Sequence, residues 1–148
     1  MSPTEVRVIL DDRLLIEHLL VGLDGRVANG DIHTTSLWYY RACRAAVIGA
    51  GGHLSGPFTK LAEPHQNAAI RSLLTLPEHV GLPDPRFTVP LMAELSERHP
   101  RLNAIHLEAV ASGLALDATM ALSTETARGI LPHVLSAERV AWSIIDLD

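Results

Sequence analysis

The stretch "VRVILDDRLLI" (6–16) is an apolar run that stops at two consecutive carboxylates, Asp11 and Asp12, and then turns apolar again. Carboxylates at the end of a buried strand have two physical uses. Their oxygens suit a hard divalent cation, Mg²⁺ or Mn²⁺, which retains waters and can activate one of them against a phosphodiester. They also suit the start of a helix, where a side-chain oxygen accepts from an otherwise orphaned N–H and stabilises by about 0.5–2 kcal/mol. Asp11, closer to the strand, is the better metal candidate, and Asp12 the better cap or first-turn acid. One carboxylate alone is not a site, so the chemistry depends on what else the fold brings to that strand end.

Other chemistries find little support. Cys43 is the only cysteine, which excludes an internal disulfide and a thiolate zinc cluster; with apolar neighbours it reads as packing. The eight histidines show neither an HExxH pattern nor close pairing in sequence, so zinc is not indicated. No GxSxG elbow is present, which leaves a hydrolase triad without a nucleophile. The glycines of "GAGGHLSGP" (49–57) lack the Lys-Ser/Thr of a phosphate loop and follow a helix, so they read as a loop. A net charge of −5 gives no basic field for non-specific nucleic-acid binding, and 4% aromatic residues are too few for a base-stacking platform.

Strand-like and helix-like segments alternate along the chain. "VRVIL" (6–10) is a strand, followed by a helix in which Leu14, Leu15, His18 and Leu19 recur at helical spacing. Residues 22–31 form a turn-rich loop, and 36–50 a helix capped by Ser36 and apolar nearly all round. Pro64 opens a helix over 64–75 with Ala69, Ile70, Leu73 and Leu74 as its stripe; "HVGLPDP" (79–85) reads as a short strand closed by prolines. Helices over 89–99 and 103–112 follow, the second stopped by Gly113. Strands over 118–123 and 139–147, joined by a short connection, complete the series, with Trp142, Val140 and Ile144 alternating as sheet packing. This order predicts the α/β class: a three-layer α/β/α sandwich around a parallel sheet, whose ligands collect at the carboxyl ends of the strands.

The 148 residues suit one domain (1–148) that buries roughly 70% of its unfolded surface. No window is apolar enough for a membrane span and the start has no secretory pattern, so a cytoplasmic protein without membrane contact is expected.

"VILDDRLLIEHL", "NAIHLEAVA", "MALSTE" and "VAWSIIDL" resemble, in order and over nearly the whole chain, the successive elements of PIN domains, the fold of VapC-type toxin ribonucleases. That family carries four site acids. The resemblance places the first on Asp11, the second on Arg41 within "LWYYRACRA", the third on Asn103 and the fourth on Glu125. Two positions have thus lost their acid, one to a cation. Asp11 and Glu125 remain as the pair implied for Mg²⁺ or Mn²⁺, with Asp11 as the catalytic acid, while Arg41 either reaches Asp11 in place of the missing ion or points to solvent as helix surface. Asn103 also has the residue type of a helix cap, and His106 matches a packing position.

Two functions follow from the resemblance. One is a metal-dependent endoribonuclease toxin; the other, favoured by the absent acids, is a PIN-like module with impaired or absent catalysis that binds RNA or a partner protein. The family implies a homodimer and a small antitoxin. Apolar residues on helices such as 64–75 are candidates for either contact.

Overall fold

The computed structural model describes residues 6–23, 25, 27, 30–48 and 63–147; the glycine-rich "GAGGHLSGP" lies outside them. Four strands, β1 (Arg7–Leu10), β2 (Asp31–Thr34), β3 (Thr119–Leu122) and β4 (Trp142–Ile144), form an all-parallel sheet in the order β2-β1-β3-β4. The described helices are α1 (Asp12–Leu20), α2 (Ser36–Ile48), α3 (Glu63–Leu74), α4 (Pro85–Arg98), α5 (Ala104–Leu116), α6 (Thr124–Ala127) and α7 (Leu131–Ala137). None of them is long and apolar enough to cross a membrane.

The two-residue period of the strands sorts side chains onto two faces. Val8, Leu10 and Ala121 turn to one face and pack with Leu14 of α1 and Leu23. Ile9, Met120 and Leu122 turn to the other, against Leu95 of α4, Ala109 and Val110 of α5, and Leu131 and Leu135 of α7. A third cluster joins α1, α2 and α3 through Leu15, Ile16, Ala42, Ala45 and Leu73. The result is the three-layer α/β/α sandwich expected from the sequence. From β1 the chain passes outward to β2 and later returns to β3 on the other side of β1. The topological switch point therefore lies between the carboxyl ends of β1 and β3.

Several elements differ from expectation. β2 falls where no strand was expected: its sequence, "DIHT", has a single aliphatic residue, and its strand character comes from pairing with β1. The 79–85 segment is no strand but makes one parallel bridge from Gly81 to His33. A Cβ at Gly81 would lie 2.3 Å from His33 Nδ1, so only glycine permits that approach. α4 starts at Pro85 and not at residue 89, because Asp84 accepts from Arg86 N (2.9 Å) and Pro85 occupies the first turn; Pro90 lies inside the helix. On α2 the cap is Thr35 and not Ser36: Trp38 N donates to Thr35 Oγ1 at 3.1 Å. That helix, apolar nearly all round in sequence, leaves Tyr40, Val47 and Ile48 exposed.

The expected connection after β3 contains α6 and α7, and β4 is shorter than 139–147 because Arg139 takes a left-handed φ of 62° as the chain leaves α7. Trp142 packs against the core as expected and its indole N–H donates to Ser136 Oγ at 2.9 Å, while Ile144 is half exposed.

Gly113 does not stop α5, which runs on to Leu116 with Asp117 as a left-handed cap. The glycine is instead a close-approach position, since a Cβ there would meet Val140 Cγ1 at 2.8 Å. Gly113→Ala gains about 1 kcal/mol in helix propensity but forces a methyl group into a buried contact, which costs about 1–3 kcal/mol. The contact is the larger effect, and urea denaturation is expected to show a less stable variant.

Candidate functional site at the strand ends

Asp11 follows β1 directly and caps α1, with Oδ1 accepting from Leu14 N at 2.9 Å. Its other oxygen accepts twice from the residue after β3, from Ser123 N at 2.8 Å and Ser123 Oγ at 2.6 Å. The carboxylate is fully buried at the switch point and its two oxygens take three hydrogen bonds. Asp12 is the first helical residue; its Oδ1 accepts from Arg13 N at 2.8 Å and its Oδ2 receives Arg41 Nε at 3.0 Å. Asp12 is thus a first-turn acid as expected, but the cap is Asp11, and Asp12, not Asp11, meets Arg41. Being one residue further on, Asp12 points toward α2, where Arg41 lies one and a half turns from the helix start.

Asp12 and Arg41 line a cleft of about 180 Å³ together with Trp38, His106, Glu125, Thr126 and Gly129. Asp11 is not among its lining residues. Glu125, on the exposed first turn of α6, reaches the cleft and accepts from Thr124 Oγ1 at 3.3 Å. Asn103 is the cap of α5, its Oδ1 accepting from His106 N at 2.9 Å. His106 is a cleft residue and not only a packing one; burial, and secondly the charge of Arg41, lower its pKa from the ordinary histidine value.

α2 is held in place from below. Glu108 of α5 is buried and accepts from Ser36 N (3.2 Å) and Leu37 N (2.8 Å). With the Thr35 hydroxyl, it satisfies three of the four orphan N–H groups at the start of the helix that presents Arg41. Sequence reading passed over both Ser123 and Glu108. The first had a local signal, a serine directly after an apolar strand, but its partner is 112 residues away. The second lies within the quoted "NAIHLEAVA" and carried no signal of its own.

The donor set does not fit the Mg²⁺ or Mn²⁺ that the resemblance implies. One acid is buried and engaged, one is paired with a guanidinium, and only Glu125 stands exposed. Among the described residues no group of three or more His, Cys, Asp or Glu side chains is arranged to hold a metal. What the cleft offers is a fixed cation, a neutral-leaning imidazole, an indole and hydroxyl and carboxylate groups at its rim.

No protein-family model and no curated protein matches the sequence. Among solved structures, a chain of VapBC-1 from nontypeable Haemophilus influenzae matches with a TM-score of 0.56 at 14% identity, covering 94% of this chain and 98% of that one. At that identity the likeness concerns the fold, which is α/β/α and PIN-like over almost the full length.

Two outcomes test this geometry. Asp11→Ala leaves three buried donors without their acceptor, at about 1–3 kcal/mol each; chemical denaturation is expected to show a loss of about 3 kcal/mol or more that is the same in EDTA and in Mn²⁺. A loss confined to Mn²⁺ would mean that Asp11 serves a metal. In an NMR pH titration, His106 is expected to titrate below the ordinary histidine range and to move part of the way back in Arg41→Ala, burial accounting for the rest. Because the folded-state pKa is lowered, the stability that the neutral imidazole adds is fully present above the unfolded histidine pKa and is lost as pH falls from there through the folded value.

Proposed function

We propose that this chain is a VapC-like PIN module that has exchanged metal-dependent RNA cleavage for binding, with a protein partner in preference to RNA. The observation that carries this reading is the Asp12–Arg41 ion pair in the cleft at the strand ends, where an RNA-cleaving relative needs converging free carboxylates. A guanidinium supplies positive charge but no open coordination position at which water can be activated. Asn103, serving as a helix cap, adds no charge to replace what is missing.

The net charge of −5 supports a protein partner over RNA. So does Phe87, 66% exposed on α4 with Leu82 and Val89 exposed nearby in sequence. The likeness to VapBC-1 supports a small antitoxin-like chain or a second copy of this chain as that partner.

Calorimetric titration with Mn²⁺ and incubation with structured RNA in Mn²⁺ test the loss of catalysis. The wild type is expected to show neither saturable binding nor cleavage. The double variant Arg41→Glu, Asn103→Asp, which returns both carboxylates, is expected to gain measurable Mn²⁺ binding. Wild-type cleavage that is abolished in Glu125→Gln, an exposed position whose replacement leaves the fold intact, would restore the nuclease reading.

A further inference from the structure

At the opposite end of α1 from Asp12, His18 meets His79, a residue 61 positions later in the segment between α3 and Gly81. Their Nε2 atoms stand 3.0 Å apart, with the rings edge to face and their centroids separated by 5.3 Å. One ring donates the single proton that the two nitrogens share. With the rings turned, a metal ion lying to one side of that line can replace the proton as the link between the two nitrogens. Two imidazole nitrogens each about 2.0–2.1 Å from one ion stand about 2.9 Å apart when they subtend a right angle, and about 3.3 Å in a tetrahedral site. The observed separation matches neighbouring positions of a square-planar or octahedral ion, the geometry of Cu²⁺ and Ni²⁺.

We propose that His18 and His79 form a two-histidine site for a borderline transition-metal ion, Ni²⁺ or Cu²⁺ in preference to Mg²⁺, that ties α1 to the segment leading to Gly81. Water completes the coordination, since His79 is exposed and the described residues offer no third ligand in a metal-holding group. The 3.0 Å and 5.3 Å separations put the two ring axes nearly in line, so each ring must turn by about 45° to bring both lone pairs onto the ion in place of the N–H···N bond. The ion binds only the folded chain, since the two residues meet through tertiary structure, and therefore stabilises it by linkage. This site shares no residue with the Arg41 cleft, so its test is separate from that of the proposed function.

Protein carrying no histidine tag is titrated with NiCl₂ in a non-chelating buffer, and its melting temperature is followed with Ni²⁺, with Mg²⁺ and with EDTA. Expected are a saturable one-to-one isotherm and a higher melting temperature with Ni²⁺ alone. His79→Ala, an exposed substitution whose folding is checked in EDTA, is expected to weaken Ni²⁺ binding by about tenfold or more and to abolish the thermal shift. His133→Ala, at an exposed histidine elsewhere, is expected to retain both. Equal affinity in wild type and His79→Ala, or no saturable Ni²⁺ binding by the wild type, overturns the site.

Discussion

The three hydrogen bonds accepted by the Asp11 carboxylate hold the centre of this molecule together. One comes from the first turn of α1 and two come from Ser123, so a single buried anion fixes the exit of β1, the start of a helix and the exit of β3. Burying a carboxylate is costly unless its lone pairs are taken up by donors. Here the donors are two backbone N–H groups and a hydroxyl, all placed by regular structure. The switch point of a parallel sheet, where the chain diverges in two directions and leaves a crevice, is closed at its base by this contact.

Above that base, the cleft owes its character to a second acid one residue later. Asp12 and Arg41 neutralise each other where α1 and α2 converge, and Glu108 fixes the start of the helix that presents the guanidinium. The side chain of Asp12 is almost entirely buried while that of Arg41 keeps 41% of its surface. The pair therefore presents cationic N–H groups outward and hides its anion. Arginine retains its charge at every physiological pH, so the polarity of this ion pair does not switch between pH 5 and 8 as a histidine would.

Much of this was legible in the residues. β1 and β3 announce themselves as β-branched or apolar runs, and α5 as "NAIHLEAVA", because burial on both faces leaves a continuous apolar signature. Asn103 as a cap follows from its residue type and place. β2 was not legible: "DIHT" is an edge strand defined by its neighbour's backbone, not by its own side chains. Gly113 misled for a related reason, since glycine marks a helix end only where no tertiary contact overrides it. Which of two adjacent aspartates caps and which pairs is a matter of a single residue of helix rotation. That rotation is set by Leu14 and Leu15 facing different clusters of the core. The pairing of Asp11 with Ser123, and of Glu108 with Ser36 and Leu37, spans distances at which sequence periodicity carries no information.

The same separations bear on how the chain acquires its structure. The start of α2 is satisfied by a carboxylate 71 and 72 residues later, and the carboxylate after β1 by a serine 112 residues later. During synthesis from the N-terminus, β1, α1 and α2 are complete long before either partner exists. Loop closure over such spans is paid in chain entropy before the contacts return anything, which places these polar locks among the slow, non-local steps of folding. Until Glu108 and Ser123 are made, the N-terminal half holds its buried acid and its helix start open to water, so the two halves of the chain reach their final order together.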